Sequence, residues 1–323
     1  MSVKLYPLKF APIFKDRIWG GTKLKSILNK HTPSSRIGES WEISAVKGDV
    51  SIVSNGFLKG QQLSDLVQQF KGDLLGEKNF KRFGDKFPLL IKFIDAKDDL
   101  SIQLHPNDQL AKERHDSFGK TEMWYVMQAE ENAHLIVGFN KKVSKDSYLH
   151  HVKEKSLTQI LNFDQVKKGD TYFIEVGRIH AIGAGVLLAE IQQTSDITYR
   201  IYDWDRVDDQ GNARELHNEL AIDAIDFDME NDFKKDYLKT ENHSNQMVKC
   251  PYFTTNFIPL SGTVSKHNEF DSFIIYMCME GSVEVQLLDE TTIIEKGETI
   301  LVPASIVSFK LYSEKAELLE VYV

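Results

Sequence analysis

The sequence predicts a mainly β protein in which two β units, each a barrel or jelly roll, carry a few added helices. Short runs rich in β-branched and aromatic residues alternate with turn residues along most of the 323-residue chain, as antiparallel sheets require. A polar, charge-dense segment from about Met229 to Gln246 interrupts this pattern, and a last β-rich stretch begins near Tyr252. We therefore expect a first domain at residues 1–228, and a linker with a second domain at residues 229–323.

The strands and helices of this plan follow from local patterns. The strand runs of the first domain are DVSIVSNG, FPLLIKFIDA, EMWYVMQA, AHLIVGFN, GDTYFIEVG and GVLLAEIQQTSDITYRIYDW. Helical periodicity is rarer, and it predicts helices at residues 62–76, after HPND with Asn107 or Asp108 as N-cap, over SKDSYLHHV with SLTQILNF, and at residues 214–227. We expect these helices to be attached to the outside of a β core.

Charge and composition exclude several classes of partner. The formal net charge is −9 with both signs interspersed, so no basic stripe is available for nucleic acid or for an anionic membrane surface. A few local basic residues could still hold a small anionic substrate. No run reaches the roughly 20 apolar residues of a membrane helix, and no signal peptide is expected. Cys250 and Cys278 lie far apart, which indicates neither disulfides nor a thiolate zinc site and favours the cytoplasm.

An internal repeat links the two β units. The chain reads GDTYFIEVGRIHAIG from Gly169 and GETILVPASIVSF from Gly297, each with a glycine turn, an acidic residue, a short strand and a second turn. The second motif of the cupin barrel has this form, G-x5-P-x-G-x2-H. The first copy lacks only the proline and ends on His180, whereas the second copy has Ser305 and Ser308 in place of the glycine and the histidine. We therefore expect a double cupin with one metal per chain, bound in the first unit.

Candidate metal ligands lie at the ends or starts of three predicted strands. Gln103 and His105 alternate at the end of one strand, so their side chains point to the same face. Glu122 begins the following strand, and His180 begins a third strand after a glycine turn. Two imidazoles, a carboxylate and an amide oxygen form a mixed nitrogen and oxygen set of the kind that zinc accepts in catalytic sites. Iron or manganese would also fit this set.

Several long segments carry a resemblance to a known family. The segments are PIFKDRIWGGTKL, IGESWEISA, FPLLIKFIDAKDDLSIQLHPND, GKTEMWYV, GRIHAIGAGVLLAEIQQTSDITYRIYDWDR and ELHNELAIDAI. Together they resemble the short bacterial form of type I mannose-6-phosphate isomerase, a member of the cupin superfamily, over nearly the whole chain. The resemblance implies a zinc-dependent aldose–ketose isomerase that interconverts mannose 6-phosphate and fructose 6-phosphate.

The resemblance also implies roles for individual residues. The family's zinc ligands fall on Gln103, His105, Glu122 and His180. Its proposed catalytic arginine falls on Arg200, an active-site lysine falls on Lys120, and an acidic residue ten positions before the arginine falls on Glu190. Two positions differ from longer relatives, which carry tyrosine where this chain has Ile182 and asparagine where it has Ile197.

The chemistry makes matching demands. Moving a carbonyl from C1 to C2 removes a proton beside it, creates an enediolate and returns the proton to the neighbouring carbon. A divalent metal and the Arg200 guanidinium could stabilise the negative charge, although Arg200 could instead be a surface residue paired with Asp203 or Asp205. Lys120 could bind the phosphate or join the proton transfers. Glu190 could be the base, although orientation of a zinc ligand is the role that we favour for it.

Two other functions compete with the isomerase. One is a non-catalytic cupin that binds a sugar phosphate and uses its metal only structurally, but a structural site is normally closed by four protein ligands. The other is an iron dioxygenase with two histidines and a carboxylate. Gln103 and Lys120 favour sugar-phosphate chemistry over the dioxygenase. The sequence predicts neither the oligomeric state nor the residue that carries the proton.

Overall fold

The computed structural model describes residues 4–208, 210–228 and 233–323, and it confirms the mainly β, double-cupin fold class. The strands of the first unit are β1 (Phe10–Ala11), β2 (Ile13–Gly21), β3 (Ile37–Ile43), β4 (Ala45–Val46), β5 (Asp49–Val50), β6 (Ile52–Val53), β7 (Leu89–Ala96), β8 (Ile102–Leu104), β9 (Glu122–Ala129), β10 (His134–Phe139), β11 (Leu161–Gln165), β12 (Thr171–Ile174), β13 (His180–Ile182), β14 (Val186–Gln193) and β15 (Tyr199–Tyr202).

The second unit is built from strands alone. They are β16 (Asn245–Lys249), β17 (Thr254–His267), β18 (Ile274–Glu280), β19 (Ser282–Gln286), β20 (Thr291–Glu295), β21 (Thr299–Val302) and β22 (Ser308–Tyr322). The helices all belong to the first unit, within the described residues. They are α1 (Lys23–Ser26), α2 (Leu63–Leu75), α3 (Glu77–Phe83), α4 (Asp108–His115), α5 (Lys145–Lys153) and α6 (Asn218–Ala221), together with a 3₁₀ turn at Leu157–Ile160.

The first unit is a sandwich of two antiparallel sheets. One sheet has the strand order β12-β9-β14-β7-β2-β3, and the other has the order β11-β10-β13-β8-β15. Apolar side chains from both sheets meet between them, such as Val126 and Leu188 from the first sheet and Leu135 and Ile182 from the second. Burial of these side chains is the main force that holds the sandwich together.

The second unit covers the outer face of the six-stranded sheet. Its main sheet has the order β16-β17-β22-β18-β21, and the β19–β20 hairpin pairs with β22. Met277 and Leu319 of this sheet belong to one buried cluster with Phe93 and Tyr125 of the first unit. Strands β7 and β14 are therefore buried on both faces, which explains why they read as nearly continuous apolar runs.

The predicted helices are only partly correct. Helix α2 matches the helix predicted at 62–76, and Asn107 caps α4 by accepting a hydrogen bond from the Leu110 N–H. The segment SLTQILNF is a 3₁₀ turn followed by β11, because it pairs with β10 at the edge of a sheet. The helix predicted at 214–227 is wrong except for α6. Backbone bonds from His217 to Arg200 and from Asp226 to Gly177 tie both ends of this segment to neighbouring chain.

The internal repeat recurs in the structure. Gly169 and Gly297 both have positive φ angles, of 89° and 82°, and β12 and β21 begin two residues later. His180 begins β13 in the first unit, and Ser308 begins β22 at the matching place in the second. The two units therefore share a local design but not the histidine.

The region between the units begins outside the described residues. Residues 229–232 of the predicted linker are not described, so the boundary between residues 228 and 229 stays a prediction. The last two linker residues are already part of β16, because Asn245 and Gln246 pair with Phe257 and Asn256. Both cysteines are free thiols, and within the described ranges no helix has the length and apolar character to cross a membrane.

Candidate active site and metal centre

Three strand ends bring His105, Glu122 and His180 together. His105 directly follows β8, while Glu122 and His180 are the first residues of β9 and β13. Each of the three offers one ligand atom, these atoms all lie within 4.8 Å of one another, and all three side chains are buried. A turn at Gly177 precedes His180, and a side chain there would clash because its Cβ would lie 2.5 Å from the Ala224 carbonyl oxygen.

Backbone carbonyls fix the orientation of both imidazoles. The Nδ1 atom of His105 lies 2.9 Å from the carbonyl oxygen of Ile197, and the Nδ1 atom of His180 lies 2.9 Å from that of Arg178. A carbonyl oxygen can only accept a hydrogen bond, so each Nδ1 carries the proton and each Nε2 keeps its lone pair. The two Nε2 atoms each lie 3.5 Å from an oxygen of Glu122.

The charge state of this group suits a metal. Burial, with help from the nearby Lys120 charge, lowers the pKa of His105 to about 3, and burial also lowers the pKa of His180. Burial alone would raise the pKa of Glu122, but Lys120 and His105 hold it well below its usual range. Both oxygens of Glu122 are buried without a hydrogen-bond partner. Buried polar atoms normally find a partner, and a divalent cation among these lone pairs would supply it.

Gln103 and Lys120 complete the surroundings of the three residues. Gln103 lies opposite His180 in the sheet, and its Nε2 atom is 3.4 Å from the Nε2 of His180. The amide oxygen would reach the same point if the amide group turned about its last bond. The Nζ atom of Lys120 lies 3.2 Å from the Nε2 of His105 and 3.3 Å from an oxygen of Glu122. The structure thus brings all four predicted ligands and the predicted lysine together.

Gln103 and Lys120 line a cavity of about 360 Å³ inside the first unit. Its walls come from both sheets and carry more basic than acidic side chains. The lining residues are Arg17, Trp19, Glu39, Trp41, Lys92, Ile94, Leu100, Ser101, Gln103, Lys120, Ile182, Glu190, Asp196, Thr198, Arg200 and Arg214. Such a cavity suits a small anionic ligand.

Arg200 is available to a ligand in this cavity. Its Nη1 donates to the carbonyl oxygen of Glu215, and its Nε is buried without a partner. The carboxylate of Asp203, a predicted alternative partner, is taken by Arg206 and Arg214 instead. Burial, together with the nearby Arg214 charge, lowers the pKa of Arg200. Both effects would be relieved by an anion bound beside the guanidinium.

A register shift corrects one detail of the Arg200 strand. The alternation of Thr198, Arg200 and Tyr202 predicts one shared face, and Thr198 and Arg200 do line the cavity. The pairing register shifts between Arg200 and Tyr202, Tyr202 is not among the lining residues, and its ring packs against Trp204.

Glu190 lines the cavity but does not orient a metal ligand directly. One of its oxygens is 2.8 Å from the Nζ of Lys92, and the other accepts a hydrogen bond of 2.9 Å from the Nε1 of Trp124. The ring of Trp124 packs edge-on against His180, with ring centroids 5.3 Å apart. Glu190 therefore reaches a predicted metal ligand only through Trp124, and the orienting role that we favoured for it stays a prediction.

The cavity wall includes charged residues that the sequence patterns did not predict. Lys92 lies 2.8 Å from Glu190 and 4.0 Å from Glu39, and Glu39 also pairs with Arg17 at 2.7 Å. A lysine inside the otherwise apolar stretch PLLIKFI was a signal for Lys92, because a buried charge needs a partner or a function. Glu39 in IGESWEISA carried a weaker signal of the same kind.

The matching region of the second unit has no comparable group in the part of the chain that the structure describes. Glu280 pairs with Lys168 and Lys296, and Glu284 accepts a hydrogen bond from Gln286. The interior of this unit is filled by fully buried side chains, which include Ile274, Tyr276, Cys278, Val283 and Val285.

Comparisons with known proteins agree over nearly the whole chain. A family model for the catalytic domain of type I phosphomannose isomerase matches residues 7–141, and one for the cupin domain of mannose-6-phosphate isomerase matches residues 243–323. The mannose-6-phosphate isomerase ManA of Bacillus subtilis is 36% identical over 94% of this chain and 95% of its own. The mannose-6-phosphate isomerase of Streptococcus mutans is 34% identical, with 94% of each chain covered. The crystal structure of the mannose 6-phosphate isomerase from Bacillus subtilis has a TM-score of 0.90 at 32% identity, covering 99% of this chain and 100% of that one.

Proposed function

The chain belongs to the type I mannose-6-phosphate isomerase family, and we propose that it interconverts mannose 6-phosphate and fructose 6-phosphate through an enediolate with one bound zinc ion. The observation that carries the metal proposal is the convergence of two imidazole lone pairs on the buried carboxylate of Glu122, whose oxygens accept no hydrogen bond. This group lies beside the cavity in which Arg200 is available to an anion.

Four residues would hold the ion: His105 and His180 through Nε2, Glu122 through its carboxylate and Gln103 through its amide oxygen. Imidazole nitrogens with oxygen ligands are a set that zinc accepts in catalytic sites, where it acts as a Lewis acid that polarises a carbonyl. The bonds from Nδ1 to Ile197 and Arg178 hold both imidazoles in the tautomer that such binding needs.

The other charged residues that line the cavity would stabilise the negative charge of the enediolate and carry the proton. Arg200 would place its guanidinium against the negative charge that develops on the enediolate oxygens, where the low dielectric strengthens the attraction. Lys120 would bind the phosphate of the substrate or join the proton transfer, and Glu190 would be the base that carries the proton between C1 and C2. Lys92 and Trp124 hold the Glu190 carboxylate in one orientation, which would limit the entropy lost when substrate binds.

The site also bears on the two alternative functions. A purely structural metal would not need an adjacent cavity with a guanidinium whose Nε lacks a partner, and an iron dioxygenase would not need basic residues that suit a phosphosugar. A cytoplasmic location agrees with the two free thiols and belongs to this proposal.

One assay separates these functions. The protein is incubated with mannose 6-phosphate, and fructose 6-phosphate is followed by nuclear magnetic resonance. The isomerase is expected to bring the two sugars to a stable ratio, and the same ratio must be reached when fructose 6-phosphate is the starting material. If the protein binds either sugar without converting it, the isomerase is refuted and the non-catalytic cupin that binds a sugar phosphate remains.

A further inference from the structure

A hydrogen-bond network joins the second unit to the candidate active site. Its centre is Asp108, the first residue of α4, whose two carboxylate oxygens face in different directions. One oxygen accepts a hydrogen bond of 2.7 Å from the hydroxyl group of Tyr252, which lies between β16 and β17 of the second unit. The other accepts a bond of 2.8 Å from the Gly119 N–H and one of 3.1 Å from the Nε2 of Gln193.

The network continues to the residue between Lys120 and Glu122. The side-chain oxygen of Gln193 accepts a hydrogen bond of 2.9 Å from the Thr121 N–H, and the Gln193 N–H donates to the Thr121 carbonyl oxygen at 3.1 Å. Gln193 is the last residue of β14, and both Gln193 and Thr121 are buried. Three consecutive side-chain hydrogen bonds therefore lead from Tyr252 through Asp108 and Gln193 to Thr121.

The segment at the end of this path needs such support. Helix α4 ends at His115 and β9 begins only at Glu122, so residues 116–121 belong to no helix or strand. Asp116 and Ser117 still bond to the last turn of α4, and beyond them the bonds at Gly119 and Thr121 hold the backbone. Asp116 even has a left-handed φ angle of 50°. Lys120 nevertheless has to place its ammonium group about 3 Å from His105 and Glu122. The bonds to Gly119 and Thr121 hold the backbone on either side of Lys120.

We propose that Tyr252 is a positioning residue for the active site, acting through Asp108 and Gln193 to hold the segment that carries Lys120 and Glu122. For catalysis this inference rests on the proposed function, since it gives the second unit a part in the isomerase reaction in addition to covering the catalytic sheet. The hydroxyl group of Tyr252 touches no reacting atom. It fixes one side of the Asp108 carboxylate, so that the other side stays aimed at Gly119 and Gln193.

The test compares two variants that each remove one tyrosine hydroxyl. Tyr252→Phe removes the bond to Asp108. Tyr237→Phe is the matched control, because the Tyr237 hydroxyl also reaches the first unit, from the predicted linker, and donates to the Gly169 carbonyl oxygen at 2.8 Å. Hydrogen exchange of the Gly119 and Thr121 amides is measured without substrate on metal-loaded protein, and kcat and KM are measured separately.

Tyr252→Phe is expected to speed exchange of both amides and to lower kcat, each by about three- to ten-fold, the range for loss of one hydrogen bond. KM and metal content should stay unchanged, and Tyr237→Phe should alter neither exchange nor kcat. Equal exchange in Tyr252→Phe and wild type, or equal effects of the two variants, would overturn the proposal. If Tyr252→Phe does not fold, Asp108→Ala removes this bond together with the bonds to Gly119 and Gln193, so it must speed both exchange rates, and unchanged rates would overturn the proposal.

A double variant tests the route. Gln193→Met removes the link to Thr121 with a side chain of similar size, so adding Tyr252→Phe to it should change Thr121 exchange by less than two-fold. If the two substitutions instead changed the Thr121 exchange rate independently, so that their fold-changes multiplied, the path through Gln193 would be contradicted. The exchange measurement does not depend on turnover, so an inactive wild-type protein would refute the proposed function while the exchange result still decides the positioning network.

Discussion

The Nδ1 atom of His105 lies 2.9 Å from the carbonyl oxygen of Ile197, and this bond ties a candidate metal ligand to the chain between β14 and β15. The contact uses the backbone of Ile197 and not its side chain. The difference from longer relatives, which carry asparagine there, therefore leaves the orientation of His105 intact. The same short segment leads directly into Arg200, so one stretch of chain sets both the ligand and the cation of the site.

Replacing either candidate histidine should remove the metal. His105→Ala or His180→Ala deletes one imidazole lone pair from the group around Glu122, and the remaining ligands hold a divalent ion poorly. Both metal content, measured by elemental analysis, and isomerase activity should fall to background. His150→Ala is the matched control, because this histidine is exposed on α5 and should leave both values unchanged. A full metal content in the His180 variant would refute its assignment.

Arg200 should act on the chemical step. Arg200→Ala is expected to leave the metal bound and to lower kcat by about 100-fold or more, the scale for loss of one group that stabilises an oxyanion. Arg200→Lys keeps the charge but not the planar guanidinium, so it should recover part of this loss. Steady-state kinetics provide the check. A normal kcat with a raised KM would show that Arg200 only binds the substrate equally in ground and transition states.

The Glu39 carboxylate should make the free energy of unfolding depend on pH in the acid range. Burial alone would raise its pKa, but Lys92 and Arg17 hold it at about 2, below the ordinary 4.5. A lowered carboxyl pKa stabilises the fold above about pH 4.5, and this stability is lost as pH falls towards 2. At pH 3 the loss should be about 2 kcal/mol. Urea unfolding between pH 6 and pH 3 should therefore show a shallower loss for Glu39→Gln, and an identical acid slope in the two proteins would contradict the assignment.

The contact between the units should contribute strongly to stability. Met277 is fully buried in the cluster shared by the two units, so Met277→Ala should cost about 2 to 5 kcal/mol of unfolding free energy. Leu288→Ala in the same unit is the control, since Leu288 is 98% exposed and its loss should matter by less than about 0.5 kcal/mol. Denaturant unfolding measures both. Similar values for the two variants would mean that this interface is not tightly packed.

Much of the fold follows from patterns that are local in sequence. Strand alternation, the glycines at 169 and 297 and the Asn107 cap act over a few residues, so the sequence predicts β12, β21 and α4 where they occur. The helix predicted at 214–227 failed because its ends bond to Arg200 and Gly177, which are distant in sequence. Propensity over a short window carries no information about such contacts.

The candidate site, like the fold, has parts that local sequence patterns predict and parts that depend on contacts between distant residues. The family, and the grouping of His105, Glu122 and His180, could be predicted because each residue stands at a strand boundary with a recognisable pattern. The contacts of Glu190 with Lys92 and Trp124 depend on the register of β14 against β7 and β9, and no pattern within one strand specifies that register. For the same reason, the link from Tyr252 to Asp108 could not be anticipated.

We propose that one divalent ion, bound by the first unit, makes this chain an isomerase. Protein freed of metal with a chelator is titrated with zinc while the conversion of mannose 6-phosphate to fructose 6-phosphate is measured. Activity should be absent at the start, rise in proportion to added zinc and level off at one equivalent per chain, as elemental analysis of the dialysed product should confirm. Full activity in the metal-free protein, or a plateau at two equivalents with the second ion lost in Glu280→Gln, would contradict this account.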